Sequence, residues 1–199
     1  DPEGNRTTYH FDLDGRRVAM EDALHNTSRM AYDGQGNVIS QTDPRNNLST
    51  FVYDGFGNLK EQINGRGEKV TFAYDMQHRL VEATSPLNQK VTYKHNAKHR
   101  ITDRTDPLGH TVKTTYLANG LVNTLTDPRA INTVYSYDAN GNVDTTQTST
   151  NPVINWNYDI RGNLESLVDQ KGAKTSFVYY NNGLLKERLD QIGRASCRE

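Results

Sequence analysis

One cysteine, Cys197, stands among 199 residues, so no disulfide can form within the chain. Net charge is nearly absent as well. The 23 Lys and Arg residues oppose 24 Asp and Glu, leaving a formal −1, with a pI of 6.7. That balance removes the global basic field of a nucleic-acid-binding domain. Nowhere does the sequence approach the ~18 consecutive apolar residues of a membrane-spanning helix, and mean hydropathy is −0.84. A basic-then-apolar leader is also missing. The chain opens in the phase of its own internal pattern, with Asp1 preceding Phe11 by the interval that separates Asp106 from Tyr116. It therefore reads as a piece of a longer protein.

What is abundant is one spacing. Tyr32, Tyr53, Tyr74, Tyr116, Tyr137, Tyr158 and Tyr179 lie on a grid of 21 residues, with Phe11 and His95 at the two remaining points. A fixed period in this range marks a repeat architecture, in which each unit is one supersecondary element that buries its apolar side only against its neighbours. With the tyrosine as position zero, position −2 holds Tyr9, Met30, Phe51, Phe72, Tyr93, Tyr135, Trp156 and Phe177, with Thr114 out of line. Position −4 is Val70, Val91, Val112 or Ile154 in four copies. Apolar residues at −4, −2 and 0, separated by Thr and small polar residues, give the period-two alternation of a half-buried strand.

Turn chemistry follows each strand. Glycine lies at +4 in seven copies, including Gly36, Gly57, Gly141 and Gly162. An Asp at +1 can accept from turn amides while Gly tolerates positive φ, which predicts a type I turn ending in a left-handed residue. A second strand is anchored at +6 by Val38, Leu59, Leu80, Ile101, Val122, Val143, Leu164 and Leu185. A second turn closes the unit at Asp43-Pro44, Asp106-Pro107 and Asp127-Pro128, where Pro fixes φ. The reading is all-β: antiparallel β-hairpin repeats of 21 residues, about nine of them, continuous from 1 to 191. About 18 strands at ~4.8 Å would make a sheet ~85 Å wide, beyond the ~10 strands that stay open without curling. The aromatic face predicts a curved, spiralling sheet whose successive turns pair edge to edge or shield one another.

The segments Tyr32-Asp33-Gly34-Gln35-Gly36-Asn37-Val38, Tyr53 to Leu59, Tyr137 to Val143 and Tyr158 to Leu164 resemble the signature of the RHS/YD-repeat family, Tyr-Asp-x-x-Gly-Asn-Leu. That resemblance implies a β-sheet spiralling into a hollow shell. In polymorphic toxins and insecticidal Tc toxins the shell encloses a C-terminal toxic segment, and in teneurins a similar barrel supports adhesion. Nine repeats are too few to close a cavity, so the expectation is a shell wall segment. Its partner would be an enclosed polypeptide cargo of the same parent protein, and its location secreted or at the cell surface. The family's self-cleaving aspartates belong to a region with no counterpart here. Departures from the pattern are His95-Asn96 for Tyr-Asp, His78 and His99 for the turn Gly, Leu117 and Tyr180 for Asp, and Arg17 for the +6 apolar residue. Residues 192–199 resemble a sequencing adaptor read in frame and are read as a non-native tail, which resequencing of the source locus would test.

Chemistry-bearing groupings are sparse. His95-x-x-x-His99 with His78 invites a metal, yet equivalent positions in successive hairpins lie roughly 10 Å apart, too far to share a zinc ion. Asp12-x-Asp14-Gly15 resembles a calcium loop, but its Gly is misplaced for one. No cofactor, metal or catalytic set is expected. Lys90, Lys94, Lys98, Arg100 and Arg104 form a basic island with Tyr93 interleaved. They are candidate polyanion-binding residues for a cell-surface glycan, giving the alternative of a carbohydrate-binding module in surface adhesion. Neither nucleic acid nor membrane insertion by this segment is expected. The architectural weight falls on the grid tyrosines and on Gly36, Gly57, Gly141 and Gly162.

Overall fold

The structure is a computed structural model that describes residues 6–190. The tail containing Cys197 and the opening Asp1-Pro2-Glu3-Gly4 lie outside the described residues. Eighteen strands make up the described chain, two per repeat. The strands fall into two compact units, one comprising residues up to 99 with 105–108, the other 100–104 and residues from 109 onward.

The first unit holds β1 (Thr8–Phe11), β2 (Arg17–Glu21), β3 (Thr27–Tyr32), β4 (Val38–Thr42), β5 (Leu48–Tyr53), β6 (Leu59–Ile63), β7 (Lys69–Tyr74), β8 (Leu80–Thr84) and β9 (Lys90–His95). Each pairs antiparallel with the next in chain order. After β10 (Ile101–Thr105), the second unit continues with β11 (Thr111–Tyr116), β12 (Val122–Thr126), β13 (Asn132–Tyr137), β14 (Val143–Thr148), β15 (Asn151–Tyr158), β16 (Leu164–Val168), β17 (Lys174–Tyr179) and β18 (Leu185–Leu189). From β11 to β18 the same consecutive antiparallel pairing runs through it. From β3 on, the first strand of every hairpin ends on its grid residue and the second begins at position +6, as the pattern predicts.

Each hairpin that lies wholly within one unit contains one irregularity in the same place. Ala31 lies opposite Ser40, but Tyr32 lies opposite Val38, so Ile39 is extra. The slip recurs at Tyr53, Tyr74, Tyr116, Tyr137, Tyr158 and Tyr179. An inserted residue of this kind is a β-bulge, which increases local twist and frees backbone groups from the ladder.

Within each unit no second layer covers the aromatic face. Among the described residues no hydrophobic side chain is fully buried, and Ser166, at 4% exposure, is the only buried residue. Phe51, Phe72, Tyr93, Tyr135, Trp156 and Phe177 are half-buried. Their cover is lateral: side chains on one face of neighbouring strands stand close beside one another. Half-burying a ring of ~200 Å² contributes about 2–3 kcal/mol at ~25 cal/mol per Å². Within each unit, in-plane packing along the backbone ladder therefore gives the rings their cover.

Candidate functional site: the repeated turn and the tyrosine rung

The most regular constellation is the turn itself. In Asp33-Gly34-Gln35-Gly36-Asn37 the Asp33 amide donates to the Asn37 carbonyl at 2.9 Å and the Gly36 amide to the Asp33 carbonyl at 3.1 Å. The Asp33 carboxylate closes the loop from above. Its Oδ1 accepts from the amides of Gln35 and Asn37, and its Oδ2 from the Asn37 side chain, each at 2.9 Å. Asp54, Asp138 and Asp159 repeat this arrangement. The Asn side-chain bonds are the largest cause that lowers each of these aspartates below the ordinary carboxylate value. Where Arg79 takes the Asn position, its Nε donates to Asp75 at 2.7 Å. Chiefly through that bond, Asp75 falls to about 2.

The second turn, read from sequence as an Asp-Pro device, proves to be the same structure. Asp22, Asp43, Asn64, Ser85, Asp127 and Asp169 make the identical pair of backbone bonds. Proline is incidental to it, because its fixed φ merely suits the second turn position. Non-glycine residues also fill the left-handed position, with φ of 61° at His25, Asn46, His78 and His99, 58° at Asn88 and 62° at Ala130. Asn and His tolerate this region better than most. Where Leu117 and Tyr180 replace the Asp, Asn119 Oδ1 accepts from the Leu121 amide and Asn182 Oδ1 from the Leu184 amide. One turn departs: Thr148 pairs with Asn151 around Ser149-Thr150.

The tyrosine hydroxyls have a role that strand periodicity does not reveal. Tyr32 donates to the Arg17 carbonyl at 2.8 Å, Tyr53 to Val38 at 2.9 Å and Tyr74 to Leu59 at 3.0 Å. In the second unit Tyr116 donates to Ile101 and Tyr137 to Val122, both at 2.7 Å. The acceptor is always the +6 carbonyl of the preceding repeat. The bulge explains why it needs a donor: between β4 and β5 the paired residues run from Ser40 to Thr42, so the Val38 carbonyl lies beyond the ladder. The hydroxyls of Tyr158 and Tyr179 make no such bond. His95 cannot make one in the same way, and its Nδ1 is buried without a partner.

The histidine, calcium-like and basic groupings resolve into local contacts. His78 packs its ring on Phe56 at 4.5 Å between centroids and shares a 3.1 Å hydrogen bond with the Asn58 side chain. Asp12 and Asp14 both bind Arg16, each at 2.8 Å, as part of a hairpin turn. Of the basic residues in the first unit, Lys90 is paired with Glu82 at 2.9 Å, while Lys94 and Lys98 are exposed. In the second unit Arg100 lies over the Tyr116 ring at 5.4 Å and Arg104 is exposed.

An antiparallel hairpin copied along each unit, with one turn design at nearly every loop and a tyrosine rung between copies, defines a β-hairpin repeat protein. Residues 32–69, 53–90 and 74–112 match the RHS Repeat family, and each match begins on a grid tyrosine. Over residues 32–112 the chain carries RHS, or YD, repeats. By sequence, no curated protein matches it at a significant level. Among solved structures it is similar to a Tc holotoxin pore of Photorhabdus luminescens, with a TM-score of 0.59 and 16% identity over 94% of this chain and 13% of that one. TcdB2-TccC3 is similar with a TM-score of 0.59 and 15% identity, over 95% of this chain and 14% of that one. The form of TcdB2-TccC3 without its hypervariable C-terminal region gives 0.60 and 15%, over 92% and 13%. At these identities the likeness is one of fold, and the chain spans only a small part of each neighbour.

Proposed function

We propose that this chain is a wall segment of a larger RHS-type protein, acting by enclosure of a C-terminal toxin or effector that belongs to the same parent. The observation that carries this reading is the meander found within each unit. Every described element is a strand of the repeat, and the turn carboxylates are committed to holding backbone amides. Such a segment works through area and backbone bonding rather than through a catalytic group. The reading places the parent outside the cell or on its surface, with one continuous array over 1–191, no cofactor, no nucleic-acid partner and no insertion of this segment into a membrane.

The test is protease protection of the C-terminal segment in the intact parent protein. Enclosure predicts slow cleavage that accelerates when Gly57→Val and Gly141→Val together open the wall. Equal cleavage of the segment with and without an intact wall would defeat the proposal. A second reading, binding of a cell-surface glycan or other polyanion, draws on the exposure of Lys94, Lys98 and Arg104. It is weakened by the commitment of Lys90 to Glu82.

A further inference from the structure

Four asparagines precede a glycine: Asn64, Asn119, Asn140 and Asn182. Such a pair can react with itself, because glycine has no Cβ to keep its amide nitrogen away from the asparagine carboxamide. Three of the four carboxamides are engaged. Asn64 Oδ1 accepts from the amides of Arg66 and Glu68, each at 3.0 Å, and Asn64 Nδ2 donates to the Glu68 carboxylate at 2.6 Å. Asn119 Oδ1 accepts from the Leu121 amide at 3.2 Å, and Asn182 Oδ1 from the Leu184 amide at 3.1 Å. The fourth is different. Asn140 is exposed, and its carboxamide has no hydrogen-bond partner among the described residues.

The second unit supplies a matched pair. Ala118-Asn119-Gly120 and Ala139-Asn140-Gly141 are the same tripeptide at the same turn position, and both asparagines are exposed. Their glycines match as well. Gly120 donates to the Leu117 carbonyl at 3.0 Å and Gly141 to the Asp138 carbonyl at 3.1 Å, with φ of 99° and 86°. The difference arises at the residue that opens the turn. Asp138 Oδ1 accepts from the amides of Asn140 and Asn142, each at 2.9 Å, so the Asn140 carboxamide is not needed there. Leu117 carries no acceptor, and the Asn119 side chain takes the Leu121 amide in its place. Tyr180 and Asn182 repeat that exchange.

We propose that Asn140 is a site of spontaneous deamidation and isoaspartate formation, and that the engaged carboxamides of Asn64, Asn119 and Asn182 slow the same reaction there. The Gly141 amide nitrogen attacks Asn140 Cγ. Its proton passes through water to the departing amine, the Cγ–Nδ2 bond breaks, and ammonia leaves a cyclic succinimide. Water then opens the ring. Hydrolysis of the new Cγ–N bond gives aspartate at position 140, and hydrolysis of the original peptide bond gives isoaspartate, with the chain rerouted through Cγ. One water is consumed, one ammonia is released, and nothing is oxidised or reduced. Isoaspartate adds a methylene to the backbone inside the turn that Asp138 closes, between the amides its carboxylate holds. The inference goes beyond enclosure, since it concerns the covalent chemistry of the chain itself.

Peptide mapping by mass spectrometry, during incubation of the 199-residue chain in mildly alkaline buffer, tests it. In the folded chain Asn140 should deamidate about 5-fold faster than Asn119 or Asn182, the effect of one hydrogen bond that must break first. Asn64, with more bonds to break, should be slowest. In urea Asn119 and Asn140 should converge on one rate, because the order comes from the fold and not from the shared tripeptide. Leu117→Asp installs the residue found at Asp138 and Asp159 and should free the Asn119 carboxamide. The Asn119 rate should then rise about 5-fold, toward that of Asn140, with circular dichroism showing the variant to be folded. Three results would overturn the proposal: Asn119 reacting as fast as Asn140 in the folded chain, Asn140 reacting only in urea, or an Asn119 rate unchanged by Leu117→Asp.

Discussion

Removal of a single oxygen distinguishes a tyrosine that joins repeats from one that merely fills a face. Tyr53→Phe keeps the ring but deletes the donor to the Val38 carbonyl at 2.9 Å. That carbonyl lies outside the ladder made by β4 and β5, so no backbone amide replaces the lost partner. A net hydrogen bond of this kind contributes about 1 kcal/mol, and water reaching the half-buried site keeps the loss from rising toward the cost of a fully orphaned group. For a chain of this length, 1 kcal/mol corresponds to a fall of about 2–4 °C in Tm. Tyr158→Phe is the internal control, because the Tyr158 hydroxyl makes no such bond, and its cost should stay within about 0.3 kcal/mol of zero. Thermal and urea unfolding of the two variants side by side is the assay. Because stability in a repeat array is carried by nearest-neighbour interfaces, Tyr53→Phe should also broaden the transition by uncoupling adjacent hairpins. Equal losses in the two variants would refute the rung, since packing alone would then account for both.

Acid should weaken the first unit through Asp75. Its value of about 2 lies below the ordinary 3.8, so its contribution is intact above pH ~4 and is lost as pH falls from there toward ~2. Urea midpoints measured from pH 7 to pH 2 should fall over that window in the wild type and less in Asp75→Asn. Gly141→Val should cost about 1–3 kcal/mol through backbone strain alone, because φ is 86° and a Cβ there would meet nothing nearer than Leu121 Cδ1 at 4.0 Å; an unchanged Tm would contradict the turn geometry. The wall reading expects no retention of the chain on a sulfated-glycan column at low salt. Retention that is abolished by changing Lys94, Lys98 and Arg100 together to Ala would establish the glycan reading in its place.

The strands and the first turn were legible in the residues because their causes are local. Alternation from Val70 to Tyr74 sets a strand, and Asp75 followed by a left-handed position stops it, with no reference to anything distant. The identity of the two turns was partly hidden. Asp22-Ala23-Leu24-His25-Asn26 has neither Pro nor Gly, and His25 at φ 61° carries no signal as strong as a glycine. The tyrosine rung was hidden altogether. Its acceptor is a backbone carbonyl, which leaves no trace in residue identity, and that carbonyl lacks a ladder partner only because of a bulge whose extra residue can be Ile39, Lys60 or Val81.

The largest divergence concerns cover, and it follows from the same geometry. A face carrying Phe51, Phe72 and Tyr93 in the first unit, or Tyr135 and Trp156 in the second, implies a second layer if rings can be hidden only from above. Here long side chains lie against their lateral neighbours, and Phe51 opposite Gln62, Phe72 opposite Ala83 and Trp156 opposite Leu167 each gain cover within the sheet. A sheet built this way has no core to lose when a repeat is added or removed. Its cohesion therefore depends on the joints between hairpins, where Tyr74 on Leu59 and Lys69 on Glu61 close one interval of the ladder. Substitutions at these joints should consequently act on the array more strongly than equally exposed substitutions at mid-strand.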